Sequence, residues 1–364
     1  MEYRTLGRTG KQVSILSLGC MRLPADDEQG AKVVSRAIDL GINYFETSEG
    51  YCEGRSEIMV GMGVKGRRGQ VIISTKSCVR PDTTGEATRR KLEDSLKRLD
   101  TDRVDFYQAW DFKWDDFEAL TARRGPLEVL EKARDEGIIG HIGITSHETN
   151  ENLMALVNTG RFESITLSYS LLHCTVEPVI EAAHQRGMGV VCMRPLAGGL
   201  LATPSDILLD LLPDRHRGTT DAALKFVLSN PGVTTAASGM TSVAEVEENV
   251  AALEDFRPLR ADERARAVKT VGEYRALGER FCTGCNYCMP CPEGVKIPRL
   301  FRVRNYYKIF GLTDWAVGAY GRMDPAGLPD ACTECGECET KCPNKIPIIN
   351  QLKEVAAMFK EMQS

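Results

Sequence analysis

The chain repeats one short pattern eight times: a β-rich run of five to seven residues, a turn, and then an amphipathic helical stretch. The runs are SILSLG (14–19), NYFET (43–47), VIIST (71–75), VDFYQAW (104–110), HIGIT (141–145), SITLS (164–168), VVCMR (190–194) and TTAAS (234–238). Runs this rich in branched and aromatic residues, bounded by turn residues, read as strands. A helix between two strands returns the chain to the edge where it started, so neighbouring strands must run parallel. Eight such units at intervals of roughly 20–40 residues suit a closed (β/α)8 barrel.

The linking helices include AKVVSRAIDLG, GEATRRKLEDSLKRLD, PLEVLEKARDEG and VIEAAHQRG. Three of them end in Gly, which takes the left-handed conformation that stops a helix without a Cβ penalty. The opening MEYRTLGRTGKQVSIL reads as a hairpin with its turn at Arg8-Thr9-Gly10, placed before the first barrel strand. After Phe256 the pattern stops. A charged helix (ADERARAVKTVGEYRALGER) leads into a cysteine cluster, an aromatic stretch, a second cluster and a closing helix. The expected organisation is a barrel over 1–260 and a small α-helical, ferredoxin-like iron–sulfur domain over 261–364.

The reason for that second assignment is the cysteine spacing. Eight of the thirteen cysteines fall within residues 282–342. Cys282, Cys285, Cys288 and Cys291 form C-x2-C-x2-C-x2-C before Pro292; Cys332, Cys335, Cys338 and Cys342 form C-x2-C-x2-C-x3-C before Pro343. Three closely spaced thiolates wrap three corners of a cubane, and a more distant Cys before Pro completes the other cluster. One [4Fe–4S] cluster is therefore expected on Cys282, Cys285, Cys288 and Cys342, and a second on Cys332, Cys335, Cys338 and Cys291. Two structural zinc sites of four thiolates are the competing reading, although zinc ribbons pair C-x2-C knuckles. A further alternative is that the clusters only staple a small domain together. Of the scattered cysteines, Cys192 reads as strand packing, and Cys52 stands beside Tyr51.

Net charge is −5 and no basic block occurs, which argues against a nucleic-acid partner. Apolar runs are of strand length and the N-terminus is polar, so no membrane span or secretory signal is expected. Cysteines at metal-ligand spacing then point to a reducing cytoplasm, and to anaerobic chemistry.

In such barrels the chemistry sits at the C-terminal ends of the strands. Standing there are Glu46, Tyr51, Lys76, Trp110, Thr145, Ser146, His147, Tyr169, the stretch 193–199 and Gly239. A Tyr near a Lys that is itself held by a carboxylate makes an acid device, because the ammonium favours phenolate and draws the phenol pKa down.

The segments GINYFETSEGYCEGRSE, VIISTKS, DRVDFYQAW, GITSH, RPLAGGLL and SGMTSVAEVEEN resemble, in order, the motifs of the aldo-keto reductases. The cysteine region resembles the ferredoxin-like extension of one branch of that family. The resemblance implies an oxidoreductase in which Tyr51 donates a proton and Lys76 tunes it. Two positions depart: the family's Asp is Glu46, and its carbonyl-orienting His is Trp110, which donates one N–H and accepts nothing. Nicotinamide-binding positions map to Met21, Thr145, Ser146, Thr166, Met193, Pro195, Leu196, Gly198, Gly239, Met240, Glu248 and Asn249. Gly239 and Glu245 replace a basic pair that grips the 2′-phosphate of NADPH, so NADH is expected ahead of NADPH. The implied substrate is a small organic molecule, a carbonyl or an activated C=C, with a redox partner protein in addition. Two other readings stay open: a reductase driven by single electrons from the clusters, and an electron-transfer or redox-sensing adaptor.

Overall fold

A computed structural model describes the chain except residues 81, 203–217, 278–281, 283–285, 311–312, 343 and 364. The chain divides into two compact units, Met1–Gly199 with Thr220–Arg260, and Leu200–Thr219 with Ala261–Ser364.

The first unit opens with an antiparallel hairpin, β1 (Tyr3–Thr5) and β2 (Gln12–Ser14). Eight parallel strands follow: β3 (Leu16–Gly19), β4 (Tyr44–Glu46), β5 (Ile72–Cys78), β6 (Val104–Trp110), β7 (Ile139–Thr145), β8 (Ser164–Ser168), β9 (Gly189–Met193) and β10 (Thr235–Ser238). They close in the order β3 to β10, with β10 paired back onto β3. Each run read from the sequence became one barrel strand.

The interior follows from the two-residue alternation of a strand. Tyr44, Ile72, Phe106, Val191 and Ala237 pack with Leu6 and Val13 of the hairpin segment. That segment is sewn to the N-terminal ends of the strands, where Arg4 donates to Val233 O at 2.8 Å and Tyr3 Oη donates to Gly41 O at 2.8 Å. One layer higher the filling is polar: Gln108 donates to Ser74 Oγ at 2.6 Å and accepts from Thr166 Oγ1 at 2.8 Å. Lys76, Glu46 and Trp110 come next, at the C-terminal mouth. Asp26, Thr84, Thr149 and Ser242 cap the helices that begin after them by accepting first-turn N–H groups. Gly41, Gly137 and Gly187 all have positive φ where the sequence called for helix stops.

The second unit carries helices Ala261–Leu277, Ile297–Phe310, Thr313–Gly321, Glu337–Thr340 and Ile348–Gln363. Its core gathers Leu300, Phe301, Val303, Leu352, Val355 and Phe359. Phe359 stacks on Tyr320 at 4.1 Å, and Arg304 pairs with Glu354 at 2.6 Å. Among the described residues no helix is long and apolar enough to cross a membrane.

Candidate active site

Glu46 ends β4, Trp110 ends β6, and Lys76 points inward from β5 between them. Lys76 is 2% exposed. Its Nζ donates to the Glu46 carboxylate and, at 3.0 Å, to Thr47 O. The ammonium lies 4.2 Å from the centre of the Tyr51 ring and 5.8 Å from that of Trp110. The two rings meet edge to face at 5.6 Å. Gly50 makes room for this, since a Cβ there would come within 3.2 Å of the indole. The four residues read as catalytic therefore form one contiguous group.

Electrostatics alter one part of the expectation. Burial and then Glu46 push the Tyr51 phenol up, Lys76 opposes them, and the balance stands at about 12. Lys76 thus has the sign expected of it but is outweighed, and Tyr51 keeps its proton through the neutral range. Burial alone would lower the Lys76 pKa; Glu46 and Tyr51 together overcome it and hold the group cationic.

Tyr51 is followed by three left-handed residues, Cys52 (φ 51°), Glu53 (φ 56°) and Gly54 (φ 86°). Two of these carry side chains, so the turn is strained. The Cys52 thiol lies 3.5–3.6 Å from the carbonyl oxygens of Cys20, Met21 and Leu23, and burial raises its pKa. Cys52 is held as a thiol, not poised as a nucleophile. Asp111 and Arg194, each directly after a strand, and Ala197 in the loop after β9 have positive φ as well.

Most of the mapped nicotinamide positions lie at or just beyond the C-terminal ends of β3, β7, β9 and β10, whereas Thr166 is mid-strand in β8 and Glu248 and Asn249 stand in the helix Val243–Ala251. They differ in availability. Thr166 is engaged by Gln108, Ser146 Oγ by Phe112 O at 2.8 Å, and Asn249 by Ser238 Oγ at 3.2 Å. Thr145, Pro195 and Met240 are buried; Met193, Leu196 and Gly198 are half-buried; Gly239 and Glu248 are exposed. Met21 is 55% exposed, unusual for a large apolar side chain. Ser168 Oγ, inward at the mouth end of β8, is buried with no hydrogen-bond partner among the described residues. A buried orphan hydroxyl and an exposed Met at one mouth fit a bound molecule with polar and apolar parts.

One residue bearing on nucleotide choice, Arg22, escaped the sequence reading, and another, Glu245, has a different role from the one read. Arg22 donates to Gly198 O at 3.1 Å, and its side chain lies against Gly239, 3.3 Å from where a Cβ would stand. Glu245, read as a repelling carboxylate, instead accepts from Thr241 N and Oγ1 in a helix cap. The sequence signal for that cap was present as Ser242-x-x-Glu245.

The cysteines of the second unit surround two openings. One is lined by Cys288, Cys291, Cys332, Cys335 and Cys338, among others. The other is lined by Cys282, Cys288 and Cys342 with Phe301 and Ile346. Cys285 lies outside the described residues. Cys291 borders the opening that the second motif's cysteines line, Cys342 borders the one beside Cys282, and Cys288 borders both. Among the described residues no three His, Cys, Asp or Glu side chains stand close enough to hold a single metal ion. The thiols encircle space, as a cubane requires, and the fit to iron–sulfur clusters is good.

The fold and the mouth define an oxidoreductase of the (β/α)8 type, and comparison with known proteins agrees. Residues 15–271 match the family model for the aldo/keto reductase family, so the chain belongs to that family. Residues 281–346 match the model of a 4Fe-4S dicluster domain. The chain is 30% identical to an L-galactose dehydrogenase of Arabidopsis thaliana, over 77% of this chain and 95% of that protein. It is 32% identical to an uncharacterized oxidoreductase, YrpG, of Bacillus subtilis, over 70% and 91%. The holo form of aldo-keto reductase AKR11C1 from Bacillus halodurans superposes with a TM-score of 0.66 at 30% identity, covering 74% of this chain and 96% of that one.

Proposed function

We propose that the barrel reduces a small organic substrate with a nicotinamide cofactor and that Tyr51 donates the proton. The observation that carries this reading is the buried Lys76 ammonium, fixed by Glu46 and Thr47 and roofed by the Tyr51 ring. When bound, NADH or NADPH supplies a hydride. Tyr51 holds its proton through the neutral range and releases it to the substrate atom that becomes negative. Lys76 then stabilises the phenolate left behind. Glu46 keeps Lys76 charged. Trp110 offers a flat wall with an N–H and no acceptor, which suits an unsaturated or aromatic substrate better than a simple aldehyde.

Met21, Thr145, Ser146, Thr166, Met193, Pro195, Leu196, Gly198, Gly239, Met240, Glu248 and Asn249 would line the cofactor's path, with Ser168 added. Arg22 beside Gly239 gives a 2′-phosphate a cation, so NADPH stands level with NADH. The second unit would carry two [4Fe–4S] clusters in crossed ligand sets, and a redox partner protein would exchange single electrons with them. Exposure of Cys335 suits a reducing, oxygen-poor cytoplasm.

Tyr51→Phe tests the reading. Turnover should fall by about 10²-fold or more while nucleotide binding persists. Wild-type turnover in this variant would end the proposal.

A further inference from the structure

We infer that His147 contacts the substrate, donating from its imidazole the hydrogen bond to a substrate oxygen that Trp110 is poorly built to direct. This rests on the reading of Tyr51 as proton donor.

The geometry begins with register. Ala109 of β6 lies beside Ile144 of β7, so Trp110 and Thr145 end their strands at the same level. The backbone that presents His147 is pinned on both sides. Thr145 accepts from Asp111 N at 2.9 Å and from Phe112 N at 2.8 Å. Ser146 donates through Oγ to Phe112 O at 2.8 Å and through its N–H to Thr166 O at 3.2 Å. His147 therefore leaves a fixed ledge next to the strand that ends in Trp110.

Charged groups from three strand ends act on its imidazole: Lys76 from β5, Asp111 and Lys113 after β6, and Arg194 after β9, with Glu148 beside it in sequence. Lys76 is the same ammonium that underlies Tyr51. Several of these groups are occupied with one another: Lys113 with Asp111 at 3.0 Å and with Glu148 at 3.5 Å, and Arg80 with Asp111 at 3.4 Å. The imidazole is exposed, and no described residue hydrogen-bonds to it.

A local structural duty would explain the residue, but none is left for it. The turn after β7 is closed by Glu148 N to Ser146 Oγ at 3.3 Å, and the helix Asn150–Asn158 is capped by Thr149. Surrounding protein lowers the imidazole pKa; Asp111 opposes this, and Arg194, Lys113 and Lys76 reinforce it. The neutral ring carries one N–H donor and one acceptor. A donor aimed at an oxygen that gains negative charge in the transition state is typically worth 10²–10³ in rate.

The test uses the holoprotein with NADPH or NADH and 9,10-phenanthrenequinone, a flat dicarbonyl, as probe. His147→Phe keeps a ring without an N–H, and His147→Gln keeps an N–H without the ring. We expect His147→Phe to lower kcat by about 10²-fold with the nucleotide KM unchanged, and His147→Gln to recover about tenfold of that loss. Wild-type kcat in both variants, with Tyr51→Phe inactive, overturns the inference and leaves the Tyr51 reading standing. Wild-type turnover in Tyr51→Phe removes the reading itself. A second measurement is independent of turnover. Carbon-13-labelled histidine spectra resolve five rings, and the His147 signal, assigned by its loss in His147→Gln, should shift when the probe binds beside oxidised nucleotide. A fixed signal on binding overturns the inference.

Discussion

In the barrel, Glu46 and Lys76 stand on strands hydrogen-bonded to neighbours on both sides, above a layer in which Gln108, Ser74 and Thr166 already satisfy one another. In the second unit, Cys282, Cys288 and Cys291 stand between the helices Ala261–Leu277 and Ile297–Phe310, on turns with no strand or helix among the described residues. The barrel keeps its reactive geometry by strand pairing together with side-chain hydrogen bonds within the chain. The cysteine unit brings thiols around open space and leaves them to be joined by what they bind.

The strongest way to break that contrast is to remove the iron. Anaerobic protein should carry about eight irons per chain, and chelation should abolish the melting transition of the second unit while sparing that of the barrel. A second unit that still melts cooperatively without iron would refute the contrast. Cys342→Ser sharpens it. With the crossed ligand sets proposed above, iron should fall to about four and the cluster on Cys291, Cys332, Cys335 and Cys338 should remain.

Lys76→Met comes next. It strands the buried Glu46 carboxylate, which should cost about 3–5 kcal/mol in denaturant unfolding of the barrel, and adding Glu46→Gln should restore much of it. The same change removes the influence that draws the Tyr51 pKa down, so the phenol should titrate above its present value of about 12 in an ultraviolet pH titration. A smaller effect is expected from Trp110→His, which should raise aldehyde reduction by about tenfold, the worth of one added hydrogen bond. Robust aldehyde reduction by the wild type would remove the reason for that change. Smallest is Thr84→Ala, about 1 kcal/mol of barrel stability from a lost helix cap and no change in iron content.

The eight strands were legible because alternation and turn residues are local signals, and each run fell within a few residues of its strand. Glu46, Tyr51, Lys76 and Trp110 could be named because strand ends face one mouth. What stayed hidden depends on side chains meeting across strands. Gln108 reads as one polar residue in β6 until Ser74 and Thr166 close around it. Arg22 reads as a loop cation until the missing side chain of Gly239 gives it a bed. The balance at Tyr51 was also out of reach, since burial has no spelling in a sequence.

The hairpin that seals the lower end of the barrel has a kinetic meaning. With Leu6 and Val13 closing one end and the interior filled, Tyr51 and Lys76 are approached from a single side. Two molecules that react there must share one doorway. Where one of them sits deeper it is expected to enter first and depart last, an order of arrival and release that product-inhibition patterns would show.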